Sequence, residues 1–171
     1  VLSGRRIAAW RAERAHEAEV GRLHRGEASK LRTGDVFPHV DLVDPGGRET
    51  TTTALLLGQD ALVLFVARDC DPCTQVVLNW SPYLGKEGAE LPAIIAIAAG
   101  SIDDVAAYAN ETGLPFPVFA DTQDVFRDQF ELHNVPTVIG VRANGTMAFI
   151  RHGISEDFTP ETARGLMVGP G

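Results

Sequence analysis

Hydrophobic positions along the chain follow two regimes that meet near Thr33-Gly34-Asp35. Over residues 5–31 (RRIAAWRAERAHEAEVGRLHRGEASKL) the apolar positions Ala8, Ala12, Ala15 and Ala18, with Val20 and Leu23, make a thin helical stripe rather than a broad core face. Ala, Arg and Glu, all good helix formers, dominate this stretch. It predicts a peripheral helix, packed on a partner or joined to an upstream anchor. From Val36 the pattern changes to short blocks typical of a packed α/β body.

Phe37–Val43 and Arg48–Thr53 flank Asp44-Pro45-Gly46-Gly47, a strong turn signal, and predict a small hairpin. Ala61–Ala67 is a continuous apolar run, the mark of a strand buried on both faces. Thr74–Leu84 predicts a helix, and Ala93–Ala98 a second buried strand. Ser101 then supplies an N-cap, with Asp103 and Asp104 in the first turn, for a helix that runs to about Asn110 and stops near Gly113. Phe116–Ala120 predicts a short strand, and Asp124–Leu132 a helix capped by Asp121. Thr137–Val141 and Met147–Arg151 flank Asn144-Gly145, the strongest short hairpin signal. Pro160–Met167 closes the chain as a helix with Thr159 as cap. The order is hairpin, β, α, β, α, β, α, β-hairpin, α, which implies a mixed sheet with helices on both faces. The expected organisation is a charged helix and linker over 1–34 and one α/β domain over 35–171.

The 171 residues, 44% of them hydrophobic, suffice for one domain with a proper core. The longest apolar runs, Ala61–Ala67 and Leu91–Ala99, fall far short of the ~20 residues that a membrane span needs. Because the chain begins at Val1 without a methionine, it is expected to be trimmed, so the lack of a leader or anchor says little about the full-length protein. The net charge of −8 is uneven: residues 1–32 carry eight Lys/Arg against four Glu, and the remainder is strongly acidic. An acidic body argues against a nucleic-acid partner. The basic segment is either a solvated helix or one that lies near an anionic membrane surface or the acidic body.

Both cysteines sit in one stretch, FVARDCDPCTQVV, as Cys70-Asp71-Pro72-Cys73. Zinc would need about four ligands, and none of the five histidines stands at a metal-ligand spacing from the pair. A purely structural disulfide over so short a loop would restrain the unfolded chain little. The redox reading has a mechanism. A buried strand leads into a loop, and the cysteines open the next helix, where unpaired N–H groups and the helix dipole favour a thiolate on Cys70. Cys73, one turn on, can attack a mixed disulfide formed at Cys70. Pro72 is tolerated there because its missing N–H would be unpaired anyway. Asn134-Val135-Pro136-Thr137 stands just before a strand. Pro136 either starts an edge strand or takes the cis form and exposes the backbone before it.

From about Val36 to Met167 the chain resembles the thioredoxin-fold redoxins of the TlpA-like kind. The matching features are the F-P-x-x-x-L start at Phe37, the strand LVLFVA, the C-D-P-C pair, FPVFAD at Phe116–Asp121, V-P-T at Val135–Thr137 and ANGT at Ala143–Thr146. The resemblance implies a membrane-tethered, extracytoplasmic thiol–disulfide oxidoreductase without a cofactor, of the type that serves cytochrome maturation or similar thiol delivery. It implies a cis Pro136 packed against catalytic Cys70 and Cys73. Val135 would offer its backbone to an extended cysteine-bearing protein substrate, with Asp69, Asp71, Pro72 and Thr137 around it. An upstream thiol reductant would be the other partner. A cytoplasmic location is the alternative, since Arg5 and Arg6 beside a span would favour that side.

The chain departs from the family pattern beside the cysteines. Asp69 replaces the usual tryptophan, and Leu64 stands where thioredoxins carry a buried acid. Asp69 and Asp71 oppose a thiolate on Cys70 by like-charge repulsion, weakened by solvent screening, and Arg68 is placed to offset one of them. The expectation is a Cys70 thiol nearer its ordinary pKa, and a reducing pair. A peroxiredoxin is the competing enzyme class, but its P-x-x-x-T-x-x-C signature is missing, because no threonine stands three residues before either cysteine: Ala67 is there for Cys70. A thioredoxin-fold interaction module that does not use its cysteines is the non-enzyme alternative.

Overall fold

A strand without polar positions has no face to give to solvent, so it must lie inside a sheet covered on both sides. In the computed structural model, which describes residues 29–84 and 90–168, that strand is β3. The elements are β1 (Asp41–Val43), β2 (Glu49–Thr51), α1 (Thr52–Leu56), β3 (Ala61–Val66), α2 (Asp71–Trp80) with a 3-10 turn at Ser81–Tyr83, and β4 (Ala93–Ala99). They continue with α3 (Ile102–Thr112), β5 (Val118–Asp121), α4 (Val125–Asp128), β6 (Thr137–Val141), β7 (Met147–His152) and α5 (Pro160–Met167). The sheet order is β2-β1-β5-β4-β3-β6-β7. β3, β4 and β5 run parallel, and β6 pairs antiparallel with β3 and with β7.

The alternation of β3 divides the core. Leu62, Leu64 and Val66 pack with Val76, Val77 and Trp80 of α2, Val105 and Tyr108 of α3, and Ala163 and Met167 of α5. Ala61, Val63 and Phe65 face the other way, toward Leu56 of α1, Phe126 of α4 and the incoming Leu31 and Phe37. The α/β mixed sheet with helices on both faces is therefore as expected. Gly140 lets β7 close in, because a Cβ there would lie 2.3 Å from the Phe149 ring. Gly113 ends α3 in the left-handed region at φ 60, where a side chain is disfavoured.

Several boundaries differ from the sequence expectation. The strands of the first hairpin are three residues each, because Thr51 caps α1, a helix the pattern did not announce. Thr52 Oγ1 donates to Pro38 O and accepts from Val40 N, so its hydroxyl does the work of a ladder bond. The helix expected over 124–132 shrinks to four residues. Asp121 does cap it, its side-chain oxygens accepting from Val125 N and Phe126 N, each at 3.0 Å. The chain then reverses through Glu131 at φ 55 so that Leu132 enters the core and its N–H donates to Phe126 O. Tertiary burial overrides helix propensity there.

The expected N-terminal helix lies outside the described residues except for Ser29–Leu31, which are not helical. Those residues already belong to the body: Lys30 N donates to Phe130 O, and Leu31 is buried. Among the described residues no helix is long and apolar enough to cross a membrane. Asp121 is fully buried at the start of α4, so Asp121→Ala leaves two N–H groups unpaired. Urea unfolding should show a loss of about 2–4 kcal/mol, against under about 0.5 kcal/mol for Asp103→Ala on the exposed face of α3.

Candidate active site

The ladder between β3 and β6 brings two distant segments together. Phe65 pairs with Thr137 at the carboxyl end of β3 and the start of β6. The loop that leaves β3 carries the cysteines, and the segment that enters β6 carries Val135 and Pro136. Both therefore open on the same end of the sheet.

Cys70 is the N-cap of α2, and its Sγ accepts a hydrogen bond from Cys73 N at 3.2 Å. A cap residue satisfies an N–H that the helix cannot, and here a sulfur fills that place. The helix starts at Asp71, three residues before the expected Thr74, with Pro72 in the first turn. Cys70 and Cys73 are joined as a disulfide with Cα atoms 5.3 Å apart. Cys70 is partly exposed, whereas Cys73 is fully buried among Val76, Val77 and Val138. Of the two, only Cys70 has any exposure to solvent.

Asp69 and Asp71 are both exposed, as expected of solvated acids. Asp69 adopts φ 58, a left-handed conformation that Asp tolerates better than most residues, and so turns the chain from β3 into the cap. Arg68 does not turn to these acids. Its guanidinium pairs with Glu111 at 2.8 Å and Asp104 at 3.5 Å on α3. The Glu111 hydrogen bond, with Asp104 and Asp69 adding smaller attractions, raises its already high pKa. Leu64, in place of a buried acid, is fully buried, so the inner side of the pair is apolar.

The Val135–Pro136 bond is cis. Pro136 is buried, and Val135 is 38% exposed beside it. Thr137 is wholly buried; its hydroxyl donates to Asn134 O at 2.7 Å and meets His152 Nδ1 at 2.9 Å. Gly153 N donates to Pro136 O at 2.9 Å. The resemblance-derived residues Cys70, Cys73, Asp69, Asp71, Pro72, Val135, Pro136 and Thr137 thus all lie on the two segments at this end. His133 is exposed on its loop, and Trp80 is a packing residue whose Nε1 donates to Phe158 O at 2.8 Å. Among the described residues no group of three His, Cys, Asp or Glu forms a metal-ligand set.

Sequence reasoning missed His152. Counting outward from Asn144-Gly145 would have placed it opposite Thr137, as the β6–β7 register does. Burial without a partner for Nε2 pushes its pKa below the ordinary value.

Residues 33–150 match the model of the AhpC/TSA family. No curated protein matches the chain by sequence. Solved structures resemble it in fold. The Chlorobium tepidum protein assigned as a thiol:disulfide interchange protein DsbE is 20% identical, with a TM-score of 0.64 over 80% of this chain and 93% of that one. A secreted Mycobacterium tuberculosis disulfide oxidoreductase is 17% identical, with a TM-score of 0.58 over 76% of this chain and 95% of that one. The peroxidoxin BcpB of the same organism is 20% identical, with a TM-score of 0.60 over 80% of this chain and 96% of that one. At such identities the likeness establishes the thioredoxin-like fold, which both thiol exchange and peroxide reduction can use.

The lowered pKa of His152 has a stability consequence of definite sign. The unfolded chain binds the proton more readily, so stability is full above about pH 6.5 and is lost as pH falls below it toward the folded-state pKa. His152→Asn should remove this component: urea unfolding from pH 7.5 to 5 should show wild type losing more stability than the variant.

Proposed function

Starting from a chain that belongs to the AhpC/TSA family, we propose that it is a thiol–disulfide oxidoreductase working as a reductase on protein disulfides. The observation that carries this reading is the asymmetric Cys70–Cys73 pair, linked as a disulfide at a helix N-terminus with Cys70 half-buried and Cys73 fully buried. The disulfide is the oxidised end of the cycle. An upstream dithiol first reduces it, supplying two electrons and leaving two thiols on α2.

The reduced Cys70, as thiolate, then attacks a substrate disulfide. One substrate sulfur leaves as thiolate, and the other stays bound to Cys70 as a mixed disulfide. Cys73, deprotonated, attacks Cys70 Sγ, which re-forms the Cys70–Cys73 bond and releases the second substrate thiolate; both leaving thiolates take protons from water. The burial of Cys73 keeps it from substrates and gives it to Cys70 alone. Val135 and Pro136 form the docking edge for an extended substrate strand, with Thr137 beneath them and Asp69, Asp71 and Pro72 on the facing loop.

The thioredoxin-like domain expected over 35–171 also takes in residues 29–34, since Lys30 N donates to Phe130 O, Gly34 N donates to Met147 O and Leu31 is buried. The basic segment before Ser29 brings the protein near an anionic surface. An extracytoplasmic, membrane-tethered location fits the secreted disulfide oxidoreductase among the similar folds. The peroxidase reading is favoured by the BcpB likeness. Against it, both cysteines share one turn, and Ala67, without a hydroxyl, stands where the peroxiredoxin signature has its threonine.

Cys70→Ser should reduce insulin no faster than buffer with dithiothreitol as donor. Cys73→Ser should instead accumulate a mixed disulfide with insulin, visible by intact mass. Trapping on Cys73 in the Cys70→Ser protein would invert the assignment. Consumption of hydrogen peroxide at rates above those of insulin reduction would support the peroxidase.

A further inference from the structure

His152, at the end of β7, takes no part in the sulfur chemistry, yet its bonding is tightly determined. The Thr137 hydroxyl has one proton, and Asn134 O, a carbonyl that can only accept, receives it at 2.7 Å. The hydroxyl oxygen must then accept from His152 Nδ1 at 2.9 Å. This assigns the proton to Nδ1, and it leaves Nε2 bare in a buried position with no partner. The next residue adds a second tie, since Gly153 N donates to Pro136 O at 2.9 Å.

Residues 152 and 153 thus hold both ends of the Asn134–Pro136 segment: its first carbonyl through Thr137, its last carbonyl directly. Val135, 38% exposed, sits between the two ties. A substrate strand that docks on this segment gains most from a backbone already held in place, because an unheld backbone would lose entropy on binding. Resting on the oxidoreductase reading above, we propose that His152 is a positioning residue for substrate docking, acting through Thr137 to hold the Val135 backbone where an extended protein substrate pairs with it. It touches neither sulfur nor substrate, so its effect falls on binding rather than on the exchange step.

The test is steady-state reduction of insulin, with dithiothreitol as donor, by wild type, His152→Phe, His152→Asn, Thr137→Val and the Phe/Val double variant. All would first be checked for folding by circular dichroism. His152→Phe should raise KM for insulin about tenfold, the equivalent of about one hydrogen bond, with kcat within about twofold. His152→Asn, whose amide nitrogen falls close to Nδ1, should restore KM. Thr137→Val, nearly the same shape as threonine, should match the Phe variant and serves in its place if that protein does not fold. The double variant should be no worse than either single, because the two residues act in series. A loss in kcat alone, an Asn variant as impaired as Phe, or losses that multiply in the double variant would overturn the proposal. Reduction of hydroxyethyl disulfide by wild type separates the two claims: if wild type fails on it, the oxidoreductase reading falls; if wild type succeeds while KM for insulin is unmoved in the variants, only the role of His152 falls.

Discussion

The register between β3 and β6 is the constraint on which the rest of the molecule depends. β3 is buried on both faces, so a slip of one residue would exchange the side chains given to α2 with those given to α4. Both faces therefore specify the pairing of Phe65 with Thr137. Once that pairing is set, the loop beyond Val66 and the segment before Thr137 must emerge together. The cysteines and the Val135–Pro136 edge open on the same end of the sheet because an apolar strand is held in one register.

The thiol chemistry then rests on two opposed local effects. The N-terminus of α2 favours negative charge on Cys70, and the Cys73 N–H already points at its sulfur. Asp69 and Asp71 oppose that charge from exposed positions, and Arg68, the nearest cation in sequence, is directed to Glu111 and Asp104 instead. The offset that the sequence suggested is therefore small: Arg68 makes no direct ion pair with either acid and only a weaker attraction to Asp69. On the proposed reductase reading, a thiolate less stabilised than that of a strong oxidant leaves the reduced state less stabilised, and the pair gives electrons. In the proposed cycle the burial of Cys73 leaves Cys70 as the sulfur that meets a substrate.

Elements with strong local signals were legible in the chain. Ser101 caps α3, Thr159 caps α5 with Pro160 behind it, and Asn144-Gly145 turns β6 into β7, as their residue types require. The two buried strands could be read from their unbroken apolar runs. What could not be read depended on distant partners. The helix after Asp121 stops early because Leu132 is drawn into the core, and α1 forms because Thr52 bonds to Pro38 and Val40 across the hairpin. In the candidate site, Cys70 and Cys73 were evident from the strand-to-helix context, and Pro136 only through family resemblance. His152 is a lone histidine in sequence, and only the ladder that places it opposite Thr137 gives it meaning.

The most direct test of the central claim, that this is a reducing dithiol–disulfide pair, is the reduction potential of Cys70–Cys73, measured by equilibration in thiol–disulfide buffers with the two states separated by alkylation and mass. The account predicts a value near roughly −270 mV, that of a thioredoxin. A value near roughly −120 mV, that of a strong oxidant, would contradict both the direction of electron flow and the part assigned to Asp69 and Asp71.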